Sequence, residues 1–186
     1  AKEISKVCGR RFEPPMISII KDRCRIQMSE KPVYRIQFGV AQHACDNAQL
    51  CGDSYDCFTD GKGRFVAIIS DGMGTGGRAA VDGAMASNIM GNLVKAGLGF
   101  DCALKIVNSA MQVKSGEESL ATLDVAVLDL FNGSLSVMKA GAPMSFIKKG
   151  RNVERLDAVS VPIGILDEAK FAYAKSTLEE NNWLVM

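Results

Sequence analysis

The sequence is short of the residues that most readily announce chemistry. It holds one histidine, His43, and no serine in a G-x-S-x-G turn, so a Ser–His hydrolase triad has no support. His43 reads as a polar loop residue. No C-x-x-C pair occurs among the six cysteines, Cys8, Cys24, Cys45, Cys51, Cys57 and Cys102. Their spacing fits no zinc pattern, and a single histidine cannot complete a mixed ligand set. They read as free, mostly buried thiols of a reducing compartment. Charge of one sign is also lacking. With 22 Lys and Arg against 21 Asp and Glu, the net charge is +1. That balance offers nothing to neutralise a phosphate backbone, so no nucleic-acid partner is expected. No apolar run reaches the roughly 18 residues a membrane span needs, and no signal peptide is visible.

What remains is an ordinary globular balance, 47% hydrophobic and 23% charged over 186 residues. A chain of this size buries a sizeable core without disulfides. It opens at Ala1 and ends in the apolar run Trp183-Leu184-Val185-Met186, and it reads as an excised piece of something longer. A cytoplasmic domain is expected, with a longer membrane-anchored parent and self-association into a homo-oligomer both left open.

Residues 1–32 read as an N-terminal extension or regulatory segment. Pro14-Pro15 breaks any helix, and Met16–Ile20 is a short strand or a partner-binding helix. From residue 33 the periodicity sharpens. Tyr34, Ile36, Phe38 and Val40 alternate with polar or small residues, which predicts a strand over Tyr34–Ala41. Strands near Ser54–Thr59 and Arg64–Ser70 flank the turn Asp60-Gly61-Lys62-Gly63. Phe65–Ile69 is continuously apolar, as expected of a strand covered on both faces. After the glycine-rich Asp71–Gly77, a helix is expected with Ala80, Ala84, Ser87, Met90 and Val94 on one face. Asp101 can cap a second, with Leu104, Val107 and Met111 as its stripe. Alternation then returns in Leu123–Asp129, turns at Asn132-Gly133, and continues through strands at Ser134–Lys139, Ser145–Lys149, Val153–Leu156, Phe171–Thr177 and Trp183–Met186. Strands, two consecutive helices, then more strands do not make a parallel doubly wound sheet. Antiparallel sheets with a helical layer, an α+β arrangement, fit better.

Two aspartates carry the chemical interest. Asp53 follows Gly52, and Asp71 ends the apolar strand before Gly72. If the strands between them pair, both carboxylates reach the same end of the sheet. Facing carboxylates repel unless a cation lies between them, and hard divalent cations favour such oxygens. Gly72, having no Cβ, leaves its carbonyl room to turn toward a metal. Blander readings exist: Gly-Asp is a common turn pair, and Asp71 could simply cap the loop. Gly72-x-Gly74-x-x-Gly77 also matches a dinucleotide fingerprint. An aspartate immediately before it, a helix leading into a second helix, and hairpins downstream all weigh against that reading.

The run Ser70-Asp71-Gly72-Met73-Gly74-x-Gly76-x-Arg78-Ala79 resembles the signature of the PPM (PP2C-type) metal-dependent protein phosphatases, in the form found in the stage II sporulation protein E family. Gly52-Asp53-Ser54, Ser119–Asp124, Gly141–Gly150 and Val161–Leu166 resemble further blocks of that family, so the resemblance covers about residues 33–186. It implies a PP2C-like four-layer α-β-β-α sandwich of two antiparallel sheets flanked by helices. It implies two Mn²⁺ or Mg²⁺ ions, with Asp53 and Asp71 as carried-over ligands, Asp71 bridging and the Gly72 carbonyl coordinating. It implies hydrolysis of phosphoserine or phosphothreonine by metal-activated water, on a regulatory phosphoprotein such as an anti-sigma-factor antagonist of the STAS type. It also implies regulation by movement of the helices after the glycine loop. The family's later acidic ligands lie beyond the last strand matched here. Residues 33–186 are therefore expected to form an incomplete phosphatase domain that by itself binds metal weakly and turns over little. Arg35 and Arg78 are cationic and near the motifs, but neither is assigned to a substrate phosphate. A catalytically silent, partner-binding module of the same fold is the alternative.

Overall fold

The computed structural model describes residues 2–44, 50–114 and 119–186. Along the chain they form α1 (Lys2–Cys8), β1 (Met16–Ile20), β2 (Arg23–Gln27), β3 (Asp53–Thr59), β4 (Arg64–Asp71), α2 (Gly76–Lys95), α3 (Phe100–Val113), β5 (Leu123–Asp129), β6 (Ser134–Ala140), β7 (Ser145–Lys149), β8 (Asn152–Leu156), β9 (Ala172–Thr177) and β10 (Trp183–Val185). Every strand pair is antiparallel. The central sheet runs β3-β4-β5-β6-β9, a second runs β10-β7-β8, and β1-β2 is a separate hairpin.

Strand periodicity sorts the core into two. Val66, Ile68, Leu123, Val125 and Val127 face α2 and α3, where Met90, Val94, Leu104, Val107 and Met111 complete one cluster. Ala126, Leu128, Leu135 and Val137 point the other way, onto Ile147 and Leu156 of the second sheet. All six residues Leu123–Leu128 are buried. A strand covered on both faces is apolar almost throughout, and β5 is so except at Asp124. The result is an α+β sandwich with helices outside the central sheet.

Between the sheets lies a buried charged cluster. Asp124 and Lys139 are cross-strand partners on β5 and β6. The fully buried Lys139 ammonium donates to the Asp124 carboxylate and, at 2.7 Å, to Ser145 Oγ of β7. Burial pushes the Asp124 carboxyl up, against the opposing pull of Lys139. Asp124 Oδ1 is buried without a hydrogen-bond partner.

The β3–β4 turn is held by its first residue. Asp60 Oδ1 accepts the N–H groups of Lys62 and Arg64, both at 2.9 Å, and Oδ2 accepts from Arg64 Nε at 2.8 Å. Burial alone would raise the Asp60 carboxyl. The Arg64 and Lys62 bonds outweigh it and hold the group below its ordinary value. Asp60→Ala is expected to cost about 1–3 kcal/mol, the scale of losing bonds to a charged acceptor. A depressed carboxyl contributes stability that is present above the unfolded value near 3.9 and lost as pH falls through the folded one. Urea unfolding should therefore separate variant from parent at neutral pH and bring them together in strong acid. A gap that persists in acid would refute the assignment.

Several expectations need correction. Tyr34–Ala41 is not a strand. Tyr34 and Ile36 do pack, half-buried, on the second core while Arg35 and Gln37 are exposed, so the alternation is real. A strand also needs a ladder. The Val33 and Tyr34 N–H groups both go to the Leu130 carbonyl, and a cavity of about 480 Å³ lies between residues 36–41 and Trp183–Met186. That cavity also leaves the Phe65, Ala67 and Ile69 face of β4 only half-covered, contrary to the reading of two closed faces. Of the expected face of α2, Ser87, Met90 and Val94 are buried, whereas Ala80 and Ala84 are half-buried and Ala79, Gly83 and Ala86 are buried instead. Gly99, not Asp101, caps α3, and Asp101 accepts a 2.6 Å bond from the Tyr173 hydroxyl. Partial burial and that carboxylate push the Tyr173 phenol up to about 12.

Of the cysteines, Cys8, Cys24 and Cys102 are exposed and Cys51 and Cys57 half-buried, all free, so the thiols are not mostly buried. Cys45 lies outside the described residues. Cys8 and Cys24 sit on α1 and β2, neither of which buries a residue. No helix among the described residues is long and apolar enough to cross a membrane.

Candidate metal centre

The β3–β4 ladder begins at Thr59 and Phe65 and ends by placing Asp53 directly opposite Asp71. The hairpin thus brings two carboxylates, 18 positions apart in the chain, to one end of the central sheet. Both residues are open to solvent. Partial burial, the negative charge of Asp53 and a carboxyl-to-carboxyl hydrogen bond together push the Asp71 carboxyl up. A cation between the two oxygens is what this electrostatics favours. Asp53 is steadied by its neighbours. The Cys51 thiol lies 3.3 Å from Asp53 Oδ2 and from the His43 carbonyl, and Gln42 Nε2 donates to the Asp53 carbonyl at 2.6 Å. His43 is exposed and enters only through its backbone.

Gly72 is buried against the helix. A Cβ there would lie 1.9 Å from the Ala79 carbonyl oxygen of α2. Its N–H donates to the Gly52 carbonyl at 3.1 Å. Gly83, one turn along α2, would drive a Cβ to 2.2 Å from that same Gly52 oxygen. Loop and helix therefore meet backbone to backbone, and glycine is needed here for approach rather than for dihedral freedom. Gly83→Ala is expected to cost about 1–3 kcal/mol in urea unfolding, because the obstructing atom is backbone and cannot rotate away. A neutral outcome would show that α2 stands further off than described.

The other brace is the start of β5. Thr122 N–H donates to the Asp71 carbonyl at 2.8 Å, and Thr122 Oγ1 accepts the Asp71 N–H at 3.0 Å. Buried Ser70 donates its hydroxyl to the Thr122 carbonyl at 2.7 Å. Met73 N–H reaches the Leu120 carbonyl, and the Ser54 and Ser87 hydroxyls, 2.8 Å apart, tie β3 to α2.

Sequence reasoning names Asp53, Asp71 and Gly72, and the fold brings all three together. It assigns no part in bracing the aspartates to Thr122, Ser70, Ser87, Gly52 or Gly83. The signal in the sequence for the close approach is the run of small residues Ala79, Ala80, Gly83, Ala84 and Ala86 in α2. Arg35 stands apart from the aspartates: it lines a cavity with Leu128 and Glu179, at the other end of the strands. Arg78 lies in the first turn of α2, beside Ala79. The G-x-G-x-x-G reading fails on topology, because β4 and β5 on either side of the helices are antiparallel neighbours, not the parallel pair a dinucleotide fold requires. Among the described residues, no group of three or more His, Cys, Asp and Glu side chains is placed to hold a metal. The convergent acids number two.

Comparison with known proteins agrees with this architecture. The family model for stage II sporulation protein E matches residues 61–186. Stage II sporulation protein E of Bacillus subtilis (strain 168) is 32% identical over 153 residues, covering 82% of this chain and 18% of that protein. The Priestia megaterium protein of the same name is 29% identical over 163 residues, covering 88% of this chain and 28% of its own length. The chain thus spans less than a third of either relative. Among solved structures, the PP2C phosphatase domain with a fragment of the regulatory domain of the cell fate determinant SpoIIE from Bacillus subtilis superposes with a TM-score of 0.78 at 26% identity, covering 98% of this chain and 55% of that one. With the family matched over more than half its length, the chain belongs to the stage II sporulation protein E family and carries the PP2C phosphatase fold.

Proposed function

We propose that this chain supplies part of the active site of a metal-dependent protein serine/threonine phosphatase. The observation that carries the reading is the pairing of Asp53 with Asp71 at the open end of the central sheet, with the Asp71 carboxyl raised by partial burial and by its neighbour. The donor set is all hard oxygen, which suits Mn²⁺ or Mg²⁺ and does not suit soft or thiolate-seeking ions. Asp53 and Asp71 would hold the ion, with the Gly72 carbonyl adjacent. A divalent ion there supplies a Lewis acid that lowers the pKa of water and neutralises phosphoryl charge. The chain's own residues hold the two carboxylates at a fixed separation and leave them exposed, so a phosphorylated side chain on another protein can reach them. No protein nucleophile is needed, in keeping with the missing triad. The substrate is proposed to be a phosphoserine or phosphothreonine of a regulatory protein, an anti-sigma-factor antagonist of the STAS type being the class that the family resemblance suggests.

Residues 33–186 are proposed as the phosphatase portion and 1–32 as a separate extension. α1, β1 and β2 bury no residue, and the hydrogen bonds Glu13 to Ser29 and Lys31 to Arg11 close that segment on itself. The test is phosphate release from a phosphoserine protein by the full-length protein, with and without Mn²⁺, beside Asp71→Asn. Mn²⁺-dependent release that the substitution removes supports the reading. No release from folded protein at millimolar Mn²⁺ replaces it with the silent partner-binding module.

A further inference from the structure

We propose that Thr122 is a positioning residue for Asp71, acting through its hydroxyl; the inference rests on the metal-centre reading above. In an antiparallel ladder, a hydrogen-bonded pair of residues exchanges two N–H···O=C bonds. Extending the β4–β5 register beyond Ile69 and Asp124 makes Asp71 and Thr122 such a pair. Only half of the exchange is backbone to backbone: Thr122 N–H donates to the Asp71 carbonyl. The Asp71 N–H goes instead to Thr122 Oγ1, and the Thr122 carbonyl takes the hydroxyl of Ser70. At the residue that carries the candidate ligand, the ladder is completed through side chains.

The substitution has a geometric meaning. A threonine in a strand is stiff about χ1, so its hydroxyl is a fixed acceptor rather than a mobile one. It grips the amide on one side of Asp71 while the same residue's N–H grips the carbonyl on the other. The backbone direction at Asp71, and with it the exit of the carboxylate toward Asp53, is set by one residue on the neighbouring strand. Thr122 is itself held from behind. Ala121 bridges both Gly72 and Ile163, and Leu120 accepts from Met73. Valine has nearly the shape and the strand preference of threonine but no acceptor, so Thr122→Val isolates the hydroxyl.

Mn²⁺ uptake by the full-length protein can be followed by electron paramagnetic resonance of the free ion. Measured alongside it on this chain are exchange of the Asp71 amide by NMR and urea unfolding. Thr122→Val is expected to weaken Mn²⁺ binding by about 10–100-fold, the usual effect of losing a group that orients a metal ligand. Exchange at Asp71 should quicken while Val66 and Ile68 keep their protection, and Thr122→Ser should restore both affinity and protection. Thr122→Ala, which also lacks the acceptor, must reproduce the loss even if the valine variant folds poorly. Unchanged Mn²⁺ affinity in the valine and alanine variants overturns the inference, as does a serine variant that fails to restore it. If the unsubstituted full-length protein takes up no Mn²⁺ that Asp71→Asn removes, the metal-centre reading falls first and the positioning role falls with it. Fast exchange at Asp71 in the valine variant would then mark a purely structural bond.

Discussion

Asp71→Asn should abolish the Mn²⁺-induced rise in melting temperature and, in metal-free solution, should melt above the unsubstituted chain. The two effects have one cause. Asp71 faces Asp53 at the ladder end, where burial and like charge disfavour its ionised form. Asparagine keeps the shape and removes the repulsion, so the metal-free fold gains. The sign with pH follows from the raised carboxyl. Its cost to folding is fully present above the folded value and vanishes as pH falls below the unfolded value near 3.9. The advantage of the asparagine variant should therefore shrink in acid. With ion at about 100 times its Kd, the unsubstituted chain gains about 2.7 kcal/mol, roughly 5–10 °C for a domain of this size. In the full-length protein, phosphate release should drop about a hundredfold or more, because several kcal/mol of charge stabilisation depend on the ligand. An asparagine variant that keeps the Mn²⁺ shift would remove Asp71 from the site.

The largest loss of stability is expected from Lys139→Met. Lys139 is fully buried between the sheets, with Asp124 and Ser145 as its acceptors. Removing the ammonium leaves a buried carboxylate that already has one oxygen without a partner. Breaking a buried pair from one side costs about 3–5 kcal/mol, most of it the desolvation of the surviving charge. The double variant Lys139→Met with Asp124→Leu should recover much of that loss, since two apolar residues of similar volume pack without a charge to solvate. Urea unfolding of the singles and the double closes the cycle. A single variant within about 1 kcal/mol of the parent would show that water reaches the cluster, and a double no better than the single would assign the loss to packing instead.

Where sequence and structure agree, the reason is local. β5 is legible because Leu123 to Leu128 alternate between two cores, and the β3–β4 hairpin because Asp60 and Gly63 are turn residues between two apolar runs. Asp53 and Asp71 follow from that hairpin, since pairing alone carries both to one end. What was not legible depends on partners distant in the chain. Tyr34–Ala41 has the alternation of a strand but no ladder partner among the described residues, and pattern cannot supply one. The face of α2 is displaced because Ala79 and Gly83 are chosen by the Gly72 and Gly52 backbones, an approach no hydrophobic period encodes. Lys139 enters the sequence reading only as the end of a strand, and register buries it opposite Asp124. Thr122 reads as an ordinary strand residue until the ladder shows its hydroxyl in place of a carbonyl.

The glycine contact beside Asp53 and Asp71 also limits how this sequence can drift. Gly52, Gly72, Ala79 and Gly83 form one steric unit in which each position already has the smallest or next smallest side chain. A larger residue at Gly72 or Gly83 cannot be accommodated by a smaller side chain elsewhere, because the atoms in the way are the backbone carbonyl oxygens of Ala79 and Gly52. Compensated exchange, the usual way that packed positions vary together, is closed to these two. They can change only if the helix axis itself moves away from the aspartates.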